Sequence, residues 1–182
     1  MKSSKPYSVH KKTGFTLLEL IIVIIIISVL AVSAFSRFSG TSGFAEYTYQ
    51  ARLISALRNM QTRAMHDNRD GYCFKVNLDT TDAAFGPPIL DYITSTPAAA
   101  SATCSNSIDF GNPDYLKTSA TEMRDEGVSL TTAPSFDFID FDGLGRPTKD
   151  GADCSASCKI TLTGEAAVSV CIESEGYIHA CE

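Results

Sequence analysis

Positive charge is scarce in this chain, histidine is scarcer, and the Cys-x-x-Cys spacing of a zinc or redox site does not occur. Of the 15 Lys and Arg, four (Lys2, Lys5, Lys11, Lys12) fall in residues 1–14, leaving 11 against the 21 Asp and Glu that follow. A body that acidic lacks the positive footprint of general nucleic-acid binding. Arg52, Arg58, Arg63 and Arg69 lie close together and read as a solvated helix face. The three histidines (His10, His66, His179) are far apart, and no Ser/His/Asp or Cys/His arrangement is suggested by proximity, so no catalytic residue is assigned. Cys154 and Cys158 have no histidine beside them, so no metal site is assigned there. The acids Asp137, Asp140, Asp142, Asp150 and Asp153 fail the EF-hand pattern, because Gly143 at the sixth loop position would put Phe138 at the first. They read as strand and loop acids in water. Gly143 and Gly145 are not followed by a helix signal, so no phosphate cradle and no cofactor is expected.

A second scarcity lies near the N-terminus. From Phe15 to Phe35 the chain has one ionisable residue, Glu19, and no proline. As a helix this run spans about 31 Å, the thickness of a bilayer core. A carboxylate there costs roughly 2.5 kcal/mol or more. Three readings fit the apolar run. It can be a transmembrane anchor, with the basic residues 2–12 held in the cytoplasm. It can be a secretory signal cut at Val32-Ser33-Ala34. Or cleavage can fall at the boundary Gly14/Phe15, leaving the run on the mature chain. Glu19 favours the third. Cleavage after Gly14 creates an α-amino group on Phe15, four residues before Glu19, and that amine can pair with the Glu19 carboxylate of another subunit in a stagger of packed helices. Gly14, lacking a side chain, lets a peptidase approach the backbone closely.

The stretch Lys11-Lys12-Thr13-Gly14-Phe15-Thr16-Leu17-Leu18-Glu19-Leu20 resembles the cleavage and methylation signature of type IV prepilins and type II secretion pseudopilins. The resemblance implies cleavage between Gly14 and Phe15 by a prepilin peptidase and N-methylation of Phe15. It also implies an inner-membrane assembly machinery and a filament built through the N-terminal helix. One departure stands out: the position about 22 residues into the mature helix, often proline in that family, is Ser36 here. Any softening must come from Ser36, Ser39, Gly40 and Gly43.

Beyond Phe35 the pattern becomes amphipathic. Phe44, Thr48, Ala51, Ile54, Leu57, Gln61 and Ala64 are read as the face to be buried, on a helix running from residue 15 to about 68. Strand signals follow: "YCFKVNL" (72–78), "FDFIDF" (136–141), "CKITLTG" (158–164), "AVSVCIE" (167–173) and "GYIHAC" (176–181). Residues 142–147 read as a hairpin loop between "FDFIDF" and the following strand, and 173–176 as the last hairpin. Residues 79–127 read as a poorly patterned insertion, with "STPAAASATCSNS" a surface loop tied down by Cys104. All six cysteines (Cys73, Cys104, Cys154, Cys158, Cys171, Cys181) follow the apolar run, which suits disulfides in an oxidising compartment; their pairing is open.

The expectation is an α+β chain, pilin-like: a long N-terminal helix, hydrophobic in its first half and amphipathic in its second, packed on a C-terminal antiparallel sheet. Its divisions are a leader at 1–14, a filament-core helix at 15–35, an amphipathic continuation at 36–70 and a disulfide-containing domain at 71–182. The element order also resembles the GspH/FimT class of minor pilins and pseudopilins. The cysteine-rich end is similar to minor pilins of the mannose-sensitive haemagglutinin type (MshC-like). The expected function is a non-enzymatic minor pilin, single-pass in the inner membrane with its C-terminal domain periplasmic, then part of a pilus that contributes to adhesion. A secretion pseudopilin is the alternative within the family. A membrane-anchored periplasmic enzyme, or a binding protein cut after Ala34, is the alternative outside it.

Overall fold

Helix α1 (Leu17–Phe38) and helix α2 (Ala45–His66) belong to separate units of the chain, residues 1–40 and residues 41–182. The computed structural model describes residues 16–38, 44–67, 69–90, 99–148 and 150–181. Whether α1 and α2 form one helix, and whether Ser39, Gly40 and Gly43 soften it, lies outside the described residues. In the first unit, α1 is Leu, Ile, Val or Ala from Leu17 to Val32 at every position but Glu19 and Ser28.

The second unit is one helix seated on two antiparallel sheets. After α2 come β1 (Lys75–Asp79), β2 (Ala84–Gly86), α3 (Ala100–Thr103), α4 (Ala120–Asp125), β3 (Ser129–Ala133), β4 (Phe138–Asp140), β5 (Ser157–Thr163), β6 (Ala167–Glu173) and β7 (Ile178–Cys181). The smaller sheet has the order β2-β1-β4 and the larger β3-β5-β6-β7. Period-two alternation explains which faces meet the helix. In the larger sheet the partners Cys158 and Ile172, Ile160 and Val170, and Leu162 and Val168 are all buried. Leu130 extends that row on β3 and Ile178 on β7. In the smaller sheet Val76 opposes Ile139 and Leu78 opposes Phe85, again buried. Such cross-strand pairs on one face are what hold a sheet to its core. The helix contributes Tyr49, Leu53, Ala56, Leu57, Met60 and Ala64.

That buried set corrects the expected one. Of the predicted face only Leu57 and Ala64 are buried; Phe44 is exposed, as are Thr48 and Ala51, and Ile54 and Gln61 are half-buried. The reason is angular. At about 100° per residue, steps of three from Thr48 through Ala51 and Ile54 to Leu57 turn the helix by about 180°. Thr48 and Leu57 therefore point to opposite sides.

Residues 79–127 are also more than the expected surface loop. They supply β2, α3 and α4, and Phe85, Leu90, Leu116 and Met123 are all buried. Helix α4 starts with a full capping box: Ser119 Oγ accepts from Glu122 N, and the Glu122 carboxylate accepts from Ser119 N. Most of the low-complexity start of the predicted loop, residues 95–98, lies outside the described residues. The hairpin at 173–176 forms, with Gly176 at φ +89°, the left-handed region that glycine reaches without strain. The loop at 142–147 does not join "FDFIDF" to a strand of the same sheet: β4 pairs with β1, whereas the following strand, β5, pairs with β3 and β6. Asp142 closes the turn on itself by accepting from Leu144 N and Arg146 N, each at 2.9 Å, and pairing is limited to Phe141 with Pro147.

The six cysteines form three disulfides: Cys73–Cys104, Cys154–Cys158 and Cys171–Cys181. The first joins residues 31 apart and fixes the segment after α3 to the entry of β1. The third cross-links β6 to β7 near the end of the chain.

The observed helix face makes a discriminating prediction. Leu53→Ala is expected to lower unfolding stability by about 2–5 kcal/mol, as buried Leu truncations do. Thr48→Ala should stay within about 0.5 kcal/mol, as surface changes do. Urea denaturation followed by circular dichroism measures both.

Candidate functional site

At the N-terminal end of α1, local chemistry sets how the helix begins. Thr16 stands just before Leu17, and its Oγ1 accepts a hydrogen bond from Glu19 N at 3.2 Å. Its carbonyl accepts from Leu20 N, also at 3.2 Å. Thr16 is thus the N-cap and Glu19 the third helical residue, one half of the Ser/Thr-x-x-Glu capping arrangement. The Glu19 carboxylate lies where the helix dipole is positive, which favours negative charge. The sequence signal for this cap is Thr16-x-x-Glu19 itself. Gly14 and Phe15 lie outside the described residues, as does His10.

Behind that cap the helix has no polar face. Every Leu, Ile and Val from Leu17 to Leu30 is at least 40% exposed, with Leu17 at 76% and Ile27 at 58%. Ser28 is reconciled with these neighbours by donating its hydroxyl to Ile24 O at 2.6 Å. Among the described residues no helix is long and apolar enough to cross a membrane. Side chains of α1 are described only as far as residue 31, short of the Phe15–Phe35 run read from the sequence.

The polar residues of α2 tie the helix to the larger sheet, to α4 and to the turns around them. Gln61 Nε2 donates to Gly145 O at 2.7 Å and to Gly176 O at 2.6 Å, joining two turns far apart in sequence. Gln50 donates to Ser169 O and Tyr49 Oη to Glu122 O. The arginines expected on a solvated face have internal partners. Arg52 pairs with Glu122 at 3.1 Å, Arg58 donates to Ile178 O, and Arg63 donates to Asn59 Oδ1. Arg69 pairs with Asp67 and stacks over the Tyr72 ring.

Glu46, in the first turn of α2, is fully buried. Its Oε1 accepts from Ala166 N at 3.0 Å, in the β5–β6 hairpin, while Oε2 has no partner among the described residues. Burial pushes its carboxyl up, but hydrogen bonds from the backbone of Ala166, of Glu46 itself and of Glu165 outweigh that and hold it below the ordinary value. Gly164 leaves room for it; a Cβ there would run into the Glu46 carboxylate. No sequence pattern pointed to Glu46, because one acid in a helix's first turn normally faces water.

The remaining chemistry is dispersed. His66 is at the exposed end of α2. His179 Nε2 lies 3.1 Å from Glu173 Oε1, its ring stacks on Tyr177, and the Glu173 hydrogen bond holds its pKa above the usual value. Asp140 accepts from Phe74 N, and burial pushes its carboxyl up. Among the described residues no group of three His, Cys, Asp or Glu is placed to hold a metal ion.

Residues 9–35 match the family described as the prokaryotic N-terminal methylation motif. Over those residues the chain carries a prepilin-type N-terminal methylation motif. In such a chain the motif implies processing by a prepilin peptidase and assembly with other pilins. No protein of curated function matches the chain. Two crystal structures of the type IV minor pilin FimU of Pseudomonas aeruginosa (strain PAO1) are similar at low level. One, in space group P65, shares 10% identity at a TM-score of 0.45, covering 73% of this chain and 90% of FimU. The other, in space group P21, shares 12% at 0.46, covering 81% and 92%. At those scores the likeness adds nothing to the α+β architecture that the chain's own elements establish.

Glu46 makes a pH prediction. Because its carboxyl is held below the ordinary value, its contribution to stability is present above about pH 4.3 and is lost as pH falls through the folded-state value. The stability difference between wild type and Glu46→Gln is therefore expected to be largest near neutral pH and to shrink below about pH 4. Denaturant midpoints measured across that range check it.

Proposed function

We propose that this protein is a minor structural subunit of a type IV pilus, cut between Gly14 and Phe15, N-methylated on Phe15 and assembled through α1. The precursor sits in the inner membrane with residues 1–14 cytoplasmic and residues 71–182 in the periplasm. It leaves the bilayer by packing α1 against the corresponding helices of other subunits. The observation that carries this reading is Glu19, the one ionisable residue of the Phe15–Phe35 apolar run, at the head of α1 and within the Lys11–Leu20 signature. In an apolar bundle its partner is the amine on Phe15 of a neighbouring subunit. Their attraction sets the axial stagger, and apolar packing supplies most of the cohesion. The subunit does no chemistry of its own. The disulfide-stapled domain faces outward and contributes to surface adhesion. A pseudopilin of a type II secretion system would use the same N-terminal device.

Two substitutions separate processing from assembly. Gly14→Val is expected to leave the precursor uncut, read as the larger band on an immunoblot of whole cells. Glu19→Ala is expected to be cut normally yet to fall at least about tenfold in sheared filaments, while its membrane pool is kept. Wild-type amounts of Glu19→Ala in filaments would sink the pairing.

A further inference from the structure

Lys75, on β1, is 4% exposed, although alternation turns it away from the core side taken by Val76 and Leu78. What covers it is the segment after α3. The Cys73–Cys104 disulfide fixes that segment to the entry of β1. Asn77 Nδ2 fastens it again, donating to Ser105 O at 3.0 Å and to Ser107 O at 2.8 Å. Between these two attachments Asn106 is set against Lys75, whose Nζ lies 2.6 Å from Asn106 Oδ1. The Phe138 ring closes another side of the amine, with Nζ 4.2 Å from its centroid. Asp140 is the cross-strand partner of Lys75 and shares its face of the sheet.

A buried amine held against a carboxamide is a reactive pair as well as a hydrogen bond. Burial pushes the Lys75 pKa below the ordinary lysine value, against the pull of Asp140, and so raises the share of neutral, nucleophilic amine. Burial pushes the Asp140 carboxyl up, which raises the share that carries a proton to give. Asn106 Cγ lies one C=O bond of about 1.2 Å beyond Oδ1, so it is within about 4 Å of Nζ. The disulfide and the Asn77 hydrogen bonds keep the two groups facing each other, which replaces a chance encounter by a standing one.

We propose that Lys75 and Asn106 join through an isopeptide bond between Nζ and Cγ, with Asp140 as the proton relay. Neutral Nζ attacks Cγ, the Nζ–Cγ bond forms, the Cγ–Nδ2 bond breaks, and ammonia leaves. Asp140 takes one proton from Nζ and gives one to Nδ2, ending as it began, and nothing else is consumed. Asn106 is exposed, so ammonia escapes to solvent. The product is a second cross-link, two residues along each segment from the Cys73–Cys104 disulfide, that reducing agents do not open. Each chain makes the bond once and turns over no substrate, so the reading of a non-enzymatic subunit stands beside it. The bond does not depend on how the N-terminal helix is processed.

The test is peptide mass mapping of the native full chain after reduction and alkylation. Trypsin acting on an unmodified chain cuts after Arg69, Lys75 and Lys117, giving peptides 70–75 and 76–117. The expected result is one peptide, 70–117, uncut at Lys75 and about 17 Da light by the ammonia lost. A second digestion with the protease Asp-N, cutting before Asp79 and Asp82, should leave its two ends joined. In Lys75→Arg, which keeps the charge but cannot form the amide, cleavage after residue 75 and ordinary masses are expected. Asp140→Asn, which keeps an acceptor for Phe74 N, should slow bond formation at least about a hundredfold. Recovery of 70–75 and 76–117 at full mass from the wild type overturns the proposal. A 17 Da deficit that persists in Lys75→Arg overturns it too, because Asn106 ring closure alone would explain that loss. Complete joining in Asp140→Asn overturns the relay.

Discussion

A helix apolar around its whole circumference has to be covered, and the rest of this molecule follows from that. From Leu17 to Leu30 the large side chains of α1 are exposed on all sides. Each buried on assembly would contribute on the order of 1.5–3 kcal/mol. That driving force has no direction: it would hold helices together at any axial offset. In the proposed assembly, directional control comes from the charged end. Glu19 is the third residue of the helix, capped by Thr16, so its carboxylate occupies one defined turn. An uncompensated charge in apolar surroundings is costly enough to select one register among many. Apolar packing and one charge therefore divide the work between cohesion and alignment.

The second unit solves a different problem, keeping a small domain rigid around a single helix. Apolar burial from both sheets meets one face of α2, and the polar residues beside it fasten the surrounding loops. Gln61 alone spans the 142–146 turn and the β6–β7 hairpin. Glu46 fixes the start of the helix to the β5–β6 hairpin. The disulfides act where hydrogen-bonded ladders are weakest: before β1, around the Cys154–Cys158 loop, and at the chain's last strand. Cross-links of this kind limit the freedom of the unfolded chain.

Much of this was legible in the sequence where one residue type recurs at one period. The five strands predicted after residue 71 formed because alternation is read directly as burial, and the leader motif was legible because its residues are contiguous. The buried face of α2 was not. Steps of three residues drift around a helix, and the true face included Tyr49 and Met60 beside Leu53, mixed among polar neighbours. The 79–127 region hid its core residues, Phe85, Leu116 and Met123, as isolated apolar positions in polar surroundings, although Ser119-x-x-Glu122 marked a helix start. Long-range contacts such as Glu46 with Ala166 have no local signature. The hairpin expected at 142–147 joins strands of two different sheets, β4 and β5, a division with no local signature.

Assembly through a processed α1 is tested most directly by the N-terminus of the native protein, determined by mass spectrometry of the intact chain and its first peptide. Processing at the motif predicts a chain beginning at Phe15 and carrying one methyl group on its amine. A native chain that begins at Met1, or one that begins at Phe35, would contradict it.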